Sequence, residues 1–491
     1  MTNYPKQLKF EVSMELAAGS LGSPIIHDLQ SALALMELNG EELQYINRPT
    51  QAKYELAAIY AAHGGGVPVV PPTQKGSPIL FEQVMPANKP VLAGLFGTRR
   101  RCALLLGADE RHIYDLLLEA VQHPIEPLRC ENPPCEYDIQ SEVDLLKLPI
   151  PTMTPNDAGS YITLGLVVAK HPLTNEINIS IHRLWVKSKN ELTIWMVPGR
   201  HLEQLYLIAK EMGVSLPISI NIGLDPAVYF ASCCTGSIAP YGFNELSIAG
   251  GLRGHPVHIS SCLSNNAECI SNAEYVLEGE ITHEYSREGS TGDHSMPEFL
   301  GYNGKAHPHL PIVKISSINI KRDAIFQTVI GPGYEQSNLL AIGMEASVVH
   351  FVRNLTTTRI INVYCSSAGG GQLLLFAQFE KLTAEDDDAV RQAGIAIIHK
   401  FRMIKQVVLV DEDIDLFSEE DVWWAMATRF QADADIIAFT NLPGFQLDPS
   451  QSPGMSPSIT IPGMTSKVVF DCTVPYNMRN RFIRTSFYMT K

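Results

Sequence analysis

This chain has no basic excess, no long apolar run and no tight cysteine pair, and each absence removes a class of function. Lys and Arg number 37 against 52 Asp and Glu, a formal charge of −15. An acidic chain of pI near 5.5 repels phosphate backbones, which argues against nucleic acid as a partner. The tight basic cluster Arg99–Arg101 precedes the apolar run Cys102–Leu106 and reads as the solvated edge of a helix. No apolar run reaches the roughly 18 residues of a membrane span; Tyr161–Ala169 is among the longest. The N-terminal stretch MTNYPKQLKFEV lacks the apolar core of a signal peptide. The nine cysteines contain no C-x-x-C: Cys130 and Cys135 are too widely spaced, as are Cys262 and Cys269, and Cys233–Cys234 are adjacent. They read as reduced, mostly buried thiols of a cytoplasmic protein rather than disulfides or a zinc site. G-x-x-x-x-G-K-[ST], G-x-S-x-G and H-E-x-x-H are all missing. G-x-G-x-x-G fails after Gly331 and Gly333, where Gln336 stands in place of the third glycine. Gly64–Gly66 and Gly369–Gly371 fit tight turns as well as ligand contacts.

What is present is ordinary globular material. The 491 residues are 45% hydrophobic and 18% charged, which excludes a disordered chain, a collagen and a coiled coil. The length suggests about three domains. Residues 1–125 read as a helix-rich α/β domain. Ser23 is the expected N-cap with Pro24 in the first turn, and the apolar pattern runs through Leu38 to a stop at Gly40. Further helices are expected over Tyr54–Ala62, Arg100–Leu106 and His112–Val121. Prolines then cluster from Pro124 to Pro155, which is linker-like. Residues 126–330 turn to strands: Tyr161–Ala169, Ile177–Val186, Leu192–Val197, Leu216–Ile222, Pro256–Ser260, Tyr275–Tyr285 and Pro311–Ile320. Helices interrupt them only at Arg200–Met212 and Glu245–Leu252, a pattern that suits a β-barrel or strongly curved sheet. From 331 to 491 strands and helices alternate as α/β layers: Arg359–Cys365, Gln372–Phe379, Ala384–Met403, Gln406–Val410 and Glu419–Phe430. The last 50 or so residues are Pro-rich and are expected to be irregular, wrapping a surface or a partner subunit.

Three segments of the strand-rich region concentrate polar side chains: Asn178-Ile-Ser180-Ile-His182-Arg183, Pro198-Gly-Arg200-His201, and Asn244-Glu245-Leu-Ser247. An amide oxygen, an imidazole and a carboxylate together suit a Mg²⁺ or Mn²⁺ site that also holds a phosphate. Taken singly, a strand Asn, a His at a helix start and a first-turn Glu are explained equally well by turns, caps and the helix dipole. The stretch Glu288–Asp293, with two glycines and two hydroxyls, reads locally as a surface turn.

Taken together and in order, NISIHR (178–183), GRH (199–201), INIGLDPA (220–227), NELSIAGGLRG (244–254), REGSTGDH (287–294), LVDEDID (409–415) and WAMATRFQAD (424–433) carry a resemblance. From about residue 45 to about residue 480 the chain resembles the UbiD-type decarboxylases. That family uses prenylated FMN to remove or add CO₂ on aromatic and α,β-unsaturated acids. PTMTPNDAG (151–159), MPEFLGYNG (296–304), GPG (331–333), AGGG (368–371), LDPSQSP (447–453) and FDCTVP (470–475) look most like the gallate and protocatechuate decarboxylases. The resemblance implies a multidomain α/β fold whose central, split-barrel-like domain binds the flavin. It implies that Asn178, His201 and Glu245 bind Mn²⁺ (or Mg²⁺), which bridges to the cofactor phosphate. A K⁺ site falls on Cys234, Thr235, Gly236 and Ser237, with Glu245 shared. Ser180, Ile181 and Arg183 match flavin contacts, Arg200 lies beside the metal His, and Lys400 is a candidate phosphate contact. The catalytic trio maps onto Arg183, Glu288 and Asp293, with Glu288 on the arginine and Asp293 giving the proton. Phe445 and Leu447 match a loop over the substrate. The resemblance also implies a homo-oligomer, dimer or larger, supplied with cofactor by a flavin prenyltransferase.

The strand itself sets a condition. In a regular strand Asn178 and Arg183 have opposite parity, so one site needs a bulge or a strand end between them. The expected substrate is a hydroxylated benzoic acid such as protocatechuate or gallate, with a pyrrole, furan, indole or phenazine carboxylate as the alternative. From other classes, a non-catalytic flavin-binding subunit and a plain metal hydrolase also remain open.

Overall fold

The computed structural model describes residues 25–63, 76–131, 137–140, 142–234, 236–290, 292–356 and 358–485. Its frame is set by six segments rich in β-branched residues: β1 (Tyr161–Lys170), β2 (Ile177–Val186), β3 (Glu191–Ile194), β4 (Leu216–Ile222), β5 (Tyr275–Ser286) and β6 (Leu310–Lys321). They pair antiparallel in the order β5-β4-β1-β2-β3-β6, and β6 pairs back onto β5, closing a six-stranded barrel without an open edge. Three register irregularities bend it, one of them between Ile281 and Tyr285 on β5. The β5–β6 register shifts at Glu278/Gly279, where an added Cβ would lie 2.3 Å from the Lys314 carbonyl oxygen. The β1–β2 register shifts between Ile162 and Gly165, so Thr163 and Leu164 together face Arg183. β2 itself runs unbroken from Ile177 to Val186, so the bulge or strand end expected between Asn178 and Arg183 is not there; the irregularity lies on β1, opposite Arg183. β3 ends at Ile194 rather than Val197.

Two helices pack outside the barrel at its polar strands, α1 (His201–Glu211) and α2 (Glu245–Arg253). The N-terminal region adds a sheet of Gln44–Ile46, Thr50–Gln51, Ile79–Met85 and Lys89–Ala93, completed by Phe326–Thr328, which returns from beyond the barrel to pair parallel with Lys89–Ala93. Ile79, Phe81 and Val91 share one core with barrel residues Val167, Ile218, Leu277 and Val313. The sequence boundary at 125/126 is accordingly no break in packing. The chain forms two compact units, Met1–Gly343 and Met344–Lys491, divided within helix α3 (Tyr334–Leu355).

Local corrections have local causes. The first helix begins at Leu29, where Asp28 caps it and exchanges hydrogen bonds with Ser31 in a capping box. Ser23, Pro24 and Gly64–Gly66 lie outside the described residues. Arg99–Arg101 is no solvated edge: Arg99 is 9% and Arg101 3% exposed, and only Arg100 faces water. Arg101 donates from Nη1 to the carbonyls of Gly76 (2.9 Å) and Gly94 (3.0 Å), backbone oxygens that an apolar residue would strand. The eight cysteines among the described residues are free thiols, five of them buried. Among the described residues no helix is long and apolar enough to cross a membrane.

The second unit layers β7 (Arg359–Cys365), β8 (Leu374–Glu380), α4 (Asp386–Lys400), β9 (Gln406–Asp411), α5 (Glu419–Arg429), β10 (Ile436–Pro443) and β11 (Met464–Asp471), with sheet order β7-β8-β9-β11-β10. The tail expected to be irregular thus supplies an internal strand, β11, paired on both sides. Lys467 at its middle disguises it. Its ammonium is buried and donates to the carbonyls of Ile398 (3.3 Å), Phe401 (3.1 Å) and Arg402 (3.0 Å) at the end of α4. Burial pushes its pKa down to about 8.

Candidate active site

Arg183 leaves β2 opposite the β1 bulge with its side chain only 8% exposed. Nη2 donates to Glu288 at 3.0 Å, and Nη1 makes a short ion pair with Glu298. The indole of Trp195 lies 4.7 Å from the guanidinium carbon and fixes its plane. Glu288 is held by two further donors, the Tyr161 hydroxyl (3.1 Å) and the His307 amide (3.0 Å). Its own amide donates to the His307 carbonyl (2.9 Å), and the His307 ring stacks on Trp195 at 5.3 Å. Burial raises the Glu298 pKa and Glu288 adds to the rise, against the pull of Arg183. Burial and the Arg183 charge lower that of His307. Arg183 Nε is buried and without a partner among the described residues, a donor left over for a ligand.

Five residues back along β2, Asn178 meets His201 and Glu245, each the first residue of its helix. Glu245 accepts from Asn178 Nδ2 (3.2 Å) and more weakly from the Ile179 amide (3.4 Å), and stands 3.5 Å from His201 Nδ1. Its side chain is 6% exposed, and no Lys or Arg pairs with it among the described residues; its ion-pair partner there is the His201 imidazole. A buried carboxylate so poorly neutralised calls for a cation. The Asn178 Oδ1 acceptor is likewise buried without a partner. An imidazole nitrogen, a carboxylate and an orphaned amide oxygen are a donor set that fits a hard divalent ion such as Mn²⁺ or Mg²⁺.

Between the two clusters lie Ser180 and Ile181, both half-buried. His182 is buried, and its Nδ1 donates to the Trp195 carbonyl (3.0 Å). Nε2 is therefore bare and accepts the Ser180 hydroxyl proton (2.9 Å), so toward a ligand Ser180 can only accept. Burial lowers the His182 pKa to about 4. Arg200 is the exposed N-cap of α1, after Gly199 at φ +80°. Gly236 is exposed and Ser237 half-buried; Thr235 lies outside the described residues.

Asp293 is not beside Arg183. Its side chain is 92% exposed and pairs with Arg287 at 3.1 Å. The second carboxylate on the guanidinium is Glu298, from the turn after the strand His294–Pro297. Sequence reasoning passed over it although it lies within MPEFLGYNG, because no spacing rule ties it to residue 183. Tyr161, Trp195 and His307 were missed for the same reason, whereas His182 stood in the polar segment beside Arg183 without a role. Lys400, Phe445 and Leu447 belong to the second unit. Lys400 ends α4 with its ammonium 5.9 Å from the Phe351 ring centre. Phe445 and Leu447 are half-buried in the turn after β10.

Barrel, buried guanidinium and a second polar cluster on the same strand mark a candidate active site. Models of the 3-octaprenyl-4-hydroxybenzoate carboxy-lyase family match the chain in three parts: the N-terminal domain over 35–121, the Rift-related domain over 127–334 and the C-terminal domain over 337–472. The chain belongs to this UbiD family and is a carboxy-lyase, a decarboxylase. It is 36% identical over 447 residues to the gallate decarboxylase of Lactiplantibacillus plantarum, covering 88% of this chain and 91% of that one. The 3,4-dihydroxybenzoic acid decarboxylase of Enterobacter cloacae, solved in apo form, superposes with a TM-score of 0.90 at 36% identity, over 95% of this chain and 98% of that one. The UbiD-class enzyme HmfF of Pelotomaculum thermopropionicum in complex with FMN gives 0.83 at 31% identity, over 94% and 97%.

Proposed function

We propose that the chain releases CO₂ from a hydroxylated benzoic acid of the protocatechuate or gallate kind, reversibly and without net oxidation, using prenylated FMN with Mn²⁺ or Mg²⁺ and K⁺. One observation carries this reading: a buried guanidinium with a free Nε–H lies on the same strand as a cation-type donor set. The two dihydroxy- and trihydroxybenzoate decarboxylases above support the substrate class, and the FMN complex of a relative supports the flavin.

Arg183 orients the substrate carboxylate, a task for which a planar fork is better suited than an ammonium. Asn178, His201 and Glu245 would hold the divalent ion, five residues and so about 17 Å away along β2. Ser180 and Ile181 line the span between, where Ser180 accepts from a donor on the ligand. Cys234, Thr235, Gly236 and Ser237 are assigned to K⁺, and Lys400 to phosphate. When bound, the modified flavin supplies the sink for the electron pair that departing CO₂ leaves. The carbon then needs a proton. For Asp293 to give it, the turn that carries it has to swing inward; the glycines at 289 and 292, at φ +78° and +86°, give that backbone the freedom. Asp293→Asn should then lose turnover with cofactor binding intact, and an unimpaired variant removes Asp293 from the chemistry. We place the enzyme in the cytoplasm as a homo-oligomer, supplied by a flavin prenyltransferase.

The test is co-expression with such a prenyltransferase, mass and absorption spectra of the bound ligand, and a substrate panel. Release of CO₂ from 3,4-dihydroxybenzoate or gallate is expected. Turnover of heteroaromatic acids alone refutes the substrate class, and activity without flavin refutes the mechanism.

A further inference from the structure

A cavity of about 630 Å³ opens where β1 ends and β4 begins, at the opposite end of β1 from the bulge that faces Arg183. That size lies within the roughly 300–1,000 Å³ of small-molecule sites. The cavity also borders the end of α1 and the hairpin of strands His258–Ser261 and Glu268–Ile270. None of the residues assigned above to ion, flavin or substrate lines it. Lys170 follows Ala169, which pairs with Asn178, so by strand parity its side chain leaves the sheet on the face away from Asn178.

Part of the lining is cationic and built on a buried acid. Glu268 is fully buried, and its Oε1 receives both the Arg129 guanidinium (Nη2, 2.5 Å) and the Lys170 ammonium (3.2 Å). Each cation spends one contact there, and neither side chain has another polar partner among the described residues. Glu268 is the one carboxylate in the lining, so with Arg129 and Lys170 it leaves the cavity one net positive charge. The buried His171 ring adds a donor. Its Nδ1 accepts from the amides of Leu173 (3.1 Å) and Thr174 (3.2 Å), so Nε2 carries the hydrogen, and no described residue accepts it. Another part of the lining is apolar, with Met212 and Val214 exposed although large and hydrophobic.

These features select a ligand. One net positive charge is balanced by a monoanion, whereas a phosphate dianion overshoots it. A carboxylate matches the guanidinium fork and accepts further hydrogens from an ammonium or an imidazole. A flat apolar body takes the exposed surface of Met212 and Val214 out of water. We propose that this cavity is a second small-molecule site, for an aromatic monocarboxylate, with Arg129 and Lys170 as its carboxylate anchors. Glu268 is a positioning residue that holds the two cations together against their mutual repulsion. Its Oε2 is buried and has no partner among the described residues, so these two cations are what neutralises it there. The site stands independently of the chemistry at Arg183.

Photolabelling of the full chain with 4-azidobenzoate, followed by peptide mapping, tests this without reference to turnover. Label is expected within the cavity segments 209–217 or 261–268. Excess benzoate should displace it, and excess phenol, which lacks the carboxylate, should not. Lys170→Gln should cut that label about tenfold, the usual effect of losing one charge-assisted contact. Met212→Glu leaves the Glu268 pairs untouched and sets a second anion in the cavity. It should cut the label as much, and it decides alone should Lys170→Gln fail to fold. Label near Arg183 is the internal reference and should not change in either variant. Absence of label from the cavity segments overturns the inference. So does label there that neither variant lowers, or that inorganic phosphate displaces as well as benzoate does at equal concentration. Label in the cavity without label near Arg183 upholds this inference and counts against the aromatic-acid reading; label near Arg183 alone does the reverse.

Discussion

A guanidinium between two carboxylates and an indole face is fixed in angle as well as in charge, and the fixing sets how substitutions there read out. Arg183→Lys keeps the charge and removes the fork. It should cost one charge-assisted hydrogen bond's worth of transition-state binding, about 2–3 kcal/mol, or about 100-fold in kcat/KM. Steady-state kinetics at pH 7 checks this, and a loss below threefold would show that the fork is not used. His182 gives a stability signal of definite sign. Its folded pKa, about 4, lies below the free imidazole's 6.5. Unfolded protein therefore binds the extra proton first as pH falls, and stability present above pH 6.5 drains away down to pH 4, by up to about 3 kcal/mol. Thermal unfolding of wild type and His182→Gln over that range should show a steeper decline for wild type. Parallel curves would mean that His182 titrates normally.

At the scale of elements, helix starts and strand positions were legible and the contacts between them were not. β1, β2 and β4 to β6 follow from β-branched runs between turn residues, and α1 and α2 from Gly199 and Asn244 at their starts. Closure of the barrel, and the β1 bulge opposite Arg183, depend on register, which no local pattern encodes. The double glycine of α2 was visible only as part of a motif; packing explains it. An added Cβ at Gly250 would lie 2.3 Å from the Ile125 carbonyl oxygen, and one at Gly251 2.8 Å from that of Ala120. The helix that presents Glu245 thus lies directly on the backbone of the N-terminal helix Ile113–Gln122 and the turn after it, and the Ile125 amide donates back to the Ser247 carbonyl at 2.9 Å. Gly250→Ala should therefore cost about 2–4 kcal/mol and also displace Glu245. Gly254→Ala, at φ +72° with open space around it, should cost only about 1 kcal/mol. Calorimetry and Mn²⁺ titration of both variants check this: lost ion affinity belongs to the first alone, and equal effects would refute the packing account.

For the whole molecule, the proposed ligand set joins parts of the chain that only the fold brings together: β2, α1 and α2, each from a different stretch of the barrel region. The residue types that suggest it stand in the sequence in family order, but the orphaned Asn178 oxygen and the buried Glu245 carboxylate appear only once burial is known. The same burial moved the second Arg183 carboxylate from Asp293 to Glu298. An ion that binds only the folded arrangement stabilises it by mass action, by about 2.7 kcal/mol at a free concentration 100 times its dissociation constant. For a unit of 343 residues, an unfolding entropy of about 2 cal/mol/K per residue turns this into a rise in Tm of about 4 °C. Mn²⁺ should therefore raise the melting transition of the first unit, and EDTA should reverse the rise. Asn178→Ala, His201→Ala and Glu245→Ala should each abolish the shift. Glu245→Ala should be the least destabilised of the three without metal, because it removes the buried charge that only the ion satisfies. A shift of equal size in all three variants would place the ion elsewhere.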